Sequence, residues 1–303
     1  MTRARGAPGE RRWLWPSLAA PGLSWLLIFF VTPVYAILAV AMGRLDPIFG
    51  DALPVWNPIQ WDPSTFSSVF EAIFGGRLAQ IFLRTFVFVV IASVLTILIG
   101  YPVAYYVSRR AGRWKGLFLL LIVAPFWINY IMRMLAWVNL LDTDGLVNQA
   151  LMGVGLMGEP RNWLAGHPET VILGLVYGYI PFFVLPLYAA LDRIDKSVIE
   201  AARDLGASPF WAFVRVTLPL SKHGILAGLV IITLPMFGDY YTPNLLSARA
   251  TTRMIGNEIE LFVTSGIGGA EGAALTIVLM TFVAVLMLYY LFTVLRAQRE
   301  AAG

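Results

Sequence analysis

Six apolar stretches, each close to the length that a helix needs to cross a lipid bilayer, dominate the sequence. A helix rises about 1.5 Å per residue, so about 20 mostly apolar residues cross a hydrocarbon core about 30 Å thick. The predicted spans are 17–42, 82–108, 116–141, 169–191, 222–246 and 270–295, each approximate at its ends. The fifth is interrupted by the segment FGDYYTPN, and irregular backbone at that depth is tolerated only where protein or a cavity satisfies it. We predict an all-α, polytopic membrane protein.

Composition supports this class and argues against an enzyme. The chain is 58% hydrophobic and 13% charged, whereas soluble domains are about 45–50% apolar and about 25% charged. It has no cysteine, and its two histidines, His167 and His223, are far apart in sequence, so neither a disulfide framework nor a zinc site is expected. No paired catalytic acids, nucleophile elbow or metal-ligand spacing is found. We therefore expect no catalytic residues, no metal and no cofactor on this chain.

The basic residues predict the orientation. Of the 22 Lys and Arg residues, 15 fall in the two terminal tails and in alternate loops: Arg3, Arg5, Arg11, Arg12, Arg109, Arg110, Arg113, Lys115, Arg193, Lys196, Arg203, Arg215, Lys222, Arg296 and Arg299. By the positive-inside rule both termini should be cytoplasmic. The net charge of +4 is thereby explained without a nucleic-acid partner.

This orientation divides the chain into segments. They are a basic cytoplasmic tail (1–16), the first transmembrane helix (17–42), a periplasmic segment (43–81), a transmembrane core (82–295) with a cytoplasmic loop at 193–221, and a C-terminal cytoplasmic tail (296–303). The N-terminus alternatively resembles a signal peptide, but its apolar run is longer than usual and contains Pro33. The outer loops are acidic, either because bases are retained inside or because they attract a cationic solute or partner.

The loop at 193–221 contains a short, charged segment with strong helix signals. Ser197 and Glu200 have the spacing of a capping box, which predicts a helix from about Val198. Gly206 is suited to the left-handed position that ends a helix. This first helix would present an apolar face, formed by Val198, Ala201, Ala202 and Leu205.

A second short helix should follow. Ser208 can cap it, Pro209 can occupy its first turn, and Pro219 should end it. Physical reasoning alone also fits an amphipathic loop on the lipid headgroups, with Phe210, Trp211 and Phe213 dipping into the membrane.

The residues of this helix pair resemble a known motif. The sequence EAARDLGASPFWAFVRVTLP is similar to the Glu-Ala-Ala motif of ABC importer permease subunits, with Val216 in place of the more common isoleucine. The resemblance implies a coupling helix that docks into a groove of a separate ATPase subunit. It assigns this coupling role to Glu200, Ala201, Ala202, Asp204, Leu205, Gly206 and Ala207.

The resemblance extends over most of the chain. Segments such as PFWINYIMRMLAWVNLL and VYGYIPFFVLPLYAALDRID are similar to the spermidine/putrescine permease branch. It implies the type I ABC importer permease fold and a subunit that translocates polyamines across the bacterial inner membrane by alternating access. The implied partners are two ATPase subunits, a second permease subunit, a periplasmic substrate-binding protein and the lipid bilayer.

The ATPase must be a separate chain. This sequence contains no G-x-x-x-x-G-K-[ST] phosphate loop, so ATP and Mg²⁺ are expected on the partner ATPase. Two alternatives remain: the same machinery for another solute, such as an oxyanion, a metal complex or an opine-like compound, or an ion-coupled secondary transporter working alone.

Asp239 is the residue that best indicates a solute pathway. An acid within a span is costly and usually faces a cavity or a partner. With Tyr240 and Tyr241 it could bind an ammonium group through charge and cation–π attraction. Alternatively, Asp239 pairs with Arg84 or Arg133, or caps a broken helix.

Aromatic and small residues complete the predicted core. Trp127 and Tyr130 could line the same pathway or belong to the interfacial aromatic belt. Glycine pairs four residues apart, Gly174 with Gly178 and Gly224 with Gly228, predict close helix contact. Prolines within spans should bend helices, either shaping the bundle or serving as hinges.

Overall fold

The computed structural model describes residues 14–46, 51–265 and 268–302, and most of the predicted basic tail (1–16) lies outside these ranges. The helices are α1 (Leu14–Ala41), α2 (Ser64–Phe74), α3 (Arg77–Arg109), α4 (Lys115–Val123), α5 (Tyr130–Leu141), α6 (Leu146–Gly153), α7 (Pro168–Asp192), α8 (Lys196–Asp204), α9 (Pro209–Ala212), α10 (Leu218–Leu220), α11 (Lys222–Phe237), α12 (Tyr241–Leu246), α13 (Ile255–Thr264) and α14 (Gly269–Ala302). Two short strands, β1 (Arg44–Leu45) and β2 (Ala52–Leu53), form an antiparallel pair. The all-α prediction is confirmed.

The chain divides into two compact units. The first comprises Met1–Phe70 and Phe262–Ile277, and the second comprises Glu71–Leu261 and Val278–Gly303. In the first unit, the Val55 amide donates to the Ala39 carbonyl (2.9 Å) and the Trp61 indole donates to the Val55 carbonyl (2.7 Å). These bonds hold the segment after β2 against the end of α1.

Within the described ranges, four helical segments are long and apolar enough to cross a membrane by themselves. They are Ser17–Ala41, Arg77–Arg109, Pro168–Asp192 and Gly269–Thr293. They lie on the first, second, fourth and sixth predicted spans, although the second begins five residues earlier than predicted, at Arg77.

The third predicted span, 116–141, is not one continuous helix. Gly112–Trp127 and Tyr130–Gly153 meet at an angle of 92°. Pro125 lies in a 3₁₀ turn at the break, where its missing amide donor ends the α-helical bonding. The Asn129 side chain then accepts a hydrogen bond from the Ile131 amide at 2.9 Å and starts α5. The predicted span therefore contains a helix start at Asn129, which its apolar composition did not indicate.

The fifth predicted span, 222–246, is also divided. α11 ends at Phe237, residues 238–240 are non-helical, and α12 begins at Tyr241. At its other end, α11 joins the preceding helical segment Pro209–Leu220 at an angle of 60°. The predicted interruption is therefore present, and the bent pair begins before the predicted span.

The core of the second unit lies where α3, α7 and α11 pack together. Helix association within lipid depends on close van der Waals contact, which small residues permit. A β-carbon on Gly228 would lie 2.7 Å from Phe183 Cδ2, and one on Gly224 would lie 2.4 Å from Ala190 Cβ. On α7, a β-carbon on Gly174 would lie 2.4 Å from Leu246 Cδ1. The predicted glycine contacts are confirmed.

The packing predicts a site-dependent effect of alanine substitution. Gly228→Ala should destabilise the protein by about 1–3 kcal/mol, because its added methyl group overlaps the fully buried Phe183. Gly116→Ala is the control, since a β-carbon there meets nothing within 4 Å. Thermal unfolding in detergent should show a lower midpoint for Gly228→Ala only, and equal midpoints would contradict this packing.

Candidate functional site

A cavity of about 550 Å³ opens in the second unit where the two broken spans meet α7. Its volume lies within the range of small-molecule sites, about 300–1,000 Å³. The lining residues are Phe126, Ile128, Asn129, Tyr130, Arg133, Gly178, Tyr179, Phe182, Pro235, Gly238, Asp239, Tyr240 and Tyr241. No cluster of His, Asp or Glu able to hold a metal ion is found within the described ranges.

Asp239 is the carboxylate of this cavity and is only 6% exposed. Its Oδ2 accepts hydrogen bonds from the hydroxyl groups of Tyr130 (3.0 Å), Tyr179 (3.2 Å) and Thr242 (2.7 Å). Its Oδ1 accepts the Thr242 amide at 3.0 Å, close to the start of α12. The helix-capping alternative is therefore correct, and the same carboxylate also faces the cavity.

The bend around Asp239 is supported from α13. A β-carbon on Gly256 would lie 2.6 Å from the Gly238 carbonyl oxygen, so only glycine lets α13 approach this closely. The next residue, Asn257, donates to the Tyr240 carbonyl (2.9 Å) and to Asn244 Oδ1 (2.8 Å). These contacts satisfy backbone and side-chain groups that the break frees, as a membrane interior requires.

The aromatic residues predicted for the pathway are only partly brought together. Tyr240 and Tyr241 line the cavity and stack with ring centroids 4.2 Å apart. Tyr130 also lines it and bonds to Asp239. Trp127 does not belong to the lining, and its side chain is 79% exposed.

The cavity also contains a base, Arg133, that the sequence suggested only as a counter-ion for Asp239. Its guanidinium carbon lies 4.1 Å from the centre of the Phe126 ring. Within the described residues neither Arg133 nor Arg84 forms an ion pair with Asp239. Arg84 instead donates to the carbonyls of Thr251 (2.7 Å) and Arg253 (2.8 Å).

Sequence reasoning missed Tyr179, which shares an oxygen of Asp239 with Tyr130. The two tyrosines are 60 and 109 residues from Asp239, so no local pattern links them. The sequence signal that could have indicated Tyr179 was its polar hydroxyl within an apolar predicted span, since a buried tyrosine hydroxyl usually has a hydrogen-bond partner.

A second candidate surface is the short helix pair formed by α8 and the helical segment 209–220. Asp195, and not Ser197, caps α8: its Oδ1 accepts the Ser197 amide at 3.0 Å, and the helix begins at Lys196. This bond holds the pKa of Asp195 below its ordinary value. The predicted capping box at Ser197 is therefore wrong, because the acid two residues earlier already satisfies the amide of Ser197.

The end of α8 follows the predicted pattern. Gly206 has a φ of +89°, a left-handed conformation that glycine adopts without strain. Its amide donates to the Arg203 carbonyl (2.9 Å), and the Ala207 amide donates to the Ala202 carbonyl (3.1 Å). This pair of bonds is a Schellman motif, which satisfies the last carbonyls of the helix.

The second helix of the pair is longer and less regular than predicted. The Ser208 hydroxyl accepts the Trp211 amide at 3.4 Å, and Pro209 occupies the first turn, as expected. Phe213–Thr217 forms a π-helical turn, and the helix then continues through Leu220. Pro219 does not end it, because it lies in the first turn of α10, where a missing amide costs little.

The helix pair leaves apolar side chains uncovered. Leu205 is 90% exposed, and Val198 and Trp211 are about half exposed. Glu200, Ala201, Asp204 and Gly206 are also exposed, while Ala202 and Ala207 are half-buried. The predicted coupling residues and Val198 thus form one accessible surface, which we call the α8 surface.

Two basic residues tie this surface to the helical core. Arg109, at the end of α3, donates to the carbonyls of Leu191 and Ile194, each at 2.9 Å. Lys115, at the start of α4, forms an ion pair with Asp192 at 2.5 Å. The link from α7 to α8 is therefore held from two neighbouring segments.

Comparison with known families identifies the class of chain that this one resembles. Residues 97–299 match the family model described as binding-protein-dependent transport system inner membrane component. The chain is 33% identical over 267 residues to the spermidine/putrescine transport system permease protein PotB of Haemophilus influenzae. This alignment covers 88% of this chain and 89% of that protein. It is 34% identical over 211 residues to PotB of Escherichia coli, covering 70% and 76% respectively.

The fold is also found among solved structures. A chain of a bacterial alginate ABC transporter, crystallised with a periplasmic protein that binds an alginate pentasaccharide, is similar with a TM-score of 0.72. The match covers 92% of this chain and 93% of that chain at 18% identity. At this identity the likeness establishes a shared fold.

The corrected cap at Asp195 can be tested by hydrogen exchange. Asp195→Ala should speed exchange of the first amides of α8 several-fold, because the Ser197 amide loses its acceptor. Ser197→Ala is the control, since it keeps that backbone amide. Hydrogen-exchange mass spectrometry of both variants would reject the assignment if Ser197→Ala caused the larger change.

Proposed function

Because the chain belongs to the family of binding-protein-dependent transport system inner membrane components, we propose that it is the permease subunit of an ATP-driven importer for polyamines. The family and the fold make it a transport component and not an enzyme. Spermidine and putrescine are the solutes we propose. The observation that carries this proposal is the 33% identity, over 88% of the chain, to a spermidine/putrescine permease.

The chemistry of the cavity is compatible with an amine-bearing solute. A carboxylate has about four lone-pair sites, and Oδ1 of Asp239 accepts one hydrogen bond from the Thr242 amide. That oxygen can therefore accept a further donor, such as an ammonium group. The stacked rings of Tyr240 and Tyr241 offer aromatic faces that attract cations. In this proposal Asp239, Tyr130, Tyr240 and Tyr241 contact the solute.

The partners follow from the proposed mechanism. A solute cavity must open alternately to each side, which requires two states and an energy source that favours them differently. We propose two ATPase subunits carrying ATP and Mg²⁺, a second permease subunit and a periplasmic binding protein. The docking surface for an ATPase subunit is the α8 surface, where Leu205 and Val198 are exposed. Covering such apolar residues would favour association.

The proposed orientation places both termini and α8 in the cytoplasm. The basic residues concentrated in alternate loops favour it. Lys115 and Arg109, which hold the α7–α8 link, would then lie on the cytoplasmic side with the ATPase.

Uptake by reconstituted transporter tests the solute assignment. ATP is supplied on the side of the proteoliposome membrane where the ATPase subunits lie. Uptake of spermidine should then be inhibited by putrescine. Asp239→Asn should reduce uptake about tenfold or more, because an ammonium group loses a charged partner. Competition by an oxyanion or an opine-like compound, without competition by polyamines, would overturn the polyamine proposal while leaving the transport class intact.

The role of α8 predicts a graded response at Gly206. Gly206→Pro should abolish ATP-coupled uptake while the protein still reaches the membrane, because proline cannot adopt φ +89° or donate to the Arg203 carbonyl. Gly206→Asn should retain most uptake, since asparagine tolerates the left-handed conformation. Uptake and membrane content should be measured together. Full uptake by Gly206→Pro would contradict the coupling role and favour a transporter that works without an ATPase.

A further inference from the structure

We propose that Arg133 is a tethered cation that competes with the solute's ammonium groups for Asp239. The inference deepens the proposed function and rests on it in one respect, namely that Asp239 contacts the solute. A buried base and a buried acid line the same cavity without forming an ion pair within the described residues.

Arg133 is buried but incompletely bonded. It lies in the first turns of α5 and is 7% exposed. Its Nε and Nη1 atoms are buried and have no hydrogen-bond partner among the described residues. Burying a guanidinium is costly unless its donors are satisfied. Two nitrogen atoms of Arg133 therefore have N–H groups available for an acceptor in this cavity.

Stacking holds the guanidinium in its present position. Its central carbon lies 4.1 Å from the centre of the Phe126 ring and 5.4 Å from that of Tyr130. Such cation–π contacts are favourable but leave the N–H donors unused. A position with acceptors would thus compete with the stacked one, and an arginine side chain has several staggered rotamers.

Asp239 is the acceptor that the cavity offers. It is the single acid among the lining residues. The nearby acids of α13 are engaged elsewhere, because Glu258 pairs with Arg253 at 3.8 Å and Glu260 accepts from Asn244 at 3.3 Å.

Tyr130 connects the two charges. Its hydroxyl donates to Asp239 at 3.0 Å, and its ring lies beside the Arg133 guanidinium. Opposite charges that share one cavity attract each other. The base therefore has two alternative positions: stacked on Phe126, which leaves Asp239 open to an ammonium group, or bonded to Asp239, which excludes that group.

Competition of this kind makes a kinetic prediction. Arg133→Gln removes the competitor, so the KM for putrescine should fall about tenfold, the effect of one hydrogen bond to a charged group. The kcat should fall as well, because nothing then displaces the solute from Asp239. Arg133→Lys keeps a cation and should restore both values toward those of the original transporter.

The comparison variant is Arg84→Gln. Arg84 bonds to backbone carbonyls of residues 251 and 253 and is not a lining residue, so its loss should lower stability without lowering KM. The transporter must be assembled with its partner subunits, and initial uptake rates measured over a range of putrescine concentrations. An unchanged or higher KM for Arg133→Gln would overturn the competition.

A second measurement separates this inference from the solute assignment. Without any solute, the thermal unfolding midpoints of Arg133→Gln, Asp239→Asn and the double variant form a double-mutant cycle. Coupling between the two sites, with a smaller effect of Arg133→Gln once Asp239 is neutral, supports the pairing even if polyamines are not transported. Additive shifts would overturn the pairing even if polyamine uptake is confirmed.

Discussion

The arrangement of this molecule depends on satisfying the backbone at two broken spans. Within a bilayer there is no water to bond a free amide or carbonyl, so irregular backbone survives only where side chains supply the missing partners. Asn129 accepts the Ile131 amide at one break, and Asp239 accepts the Thr242 amide at the other. At the second break, the Tyr240 carbonyl accepts a hydrogen bond from the side-chain amide of Asn257.

The same requirement creates the cavity. Side chains that cap a broken helix must be polar, and a break bends the chain away from its neighbours, so polar groups and open space arise together. Asp239 is an example of a capping residue that also faces open space. Its Oδ1 accepts the Thr242 amide at the start of α12, and its Oδ2 accepts hydrogen bonds from the hydroxyls of Tyr130, Tyr179 and Thr242. A substitution at Asp239 therefore changes the start of α12 as well as the cavity, which is why pairwise comparison with Arg133 is informative.

Local features were predictable from sequence, whereas long-range ones were not. The apolar runs, the left-handed Gly206 and the Ser208 cap each depend on a few neighbouring residues and were predicted. The break at Ile128–Asn129 was not, because the surrounding run is apolar enough for a straight span. Similarly, Asp195 caps α8 instead of Ser197, because it accepts the Ser197 amide that a capping box would assign to Glu200. The hydrogen bond from Tyr179 to Asp239 forms only because α7 packs against α12, and this packing is not visible in the sequence.

The two candidate sites are joined by continuous contacts within one unit. α7 carries Gly178 and Tyr179 at the cavity, and a β-carbon on Gly178 would lie 3.0 Å from the Tyr130 ring. At its other end, α7 leads to the carbonyls that Arg109 binds at the start of the α8 surface. Pro181 and Pro186 lie on α7 between these two ends, and each lacks the amide donor of a regular helix. α7 therefore contacts both the segment that leads into α8 and the tyrosine that bonds Asp239.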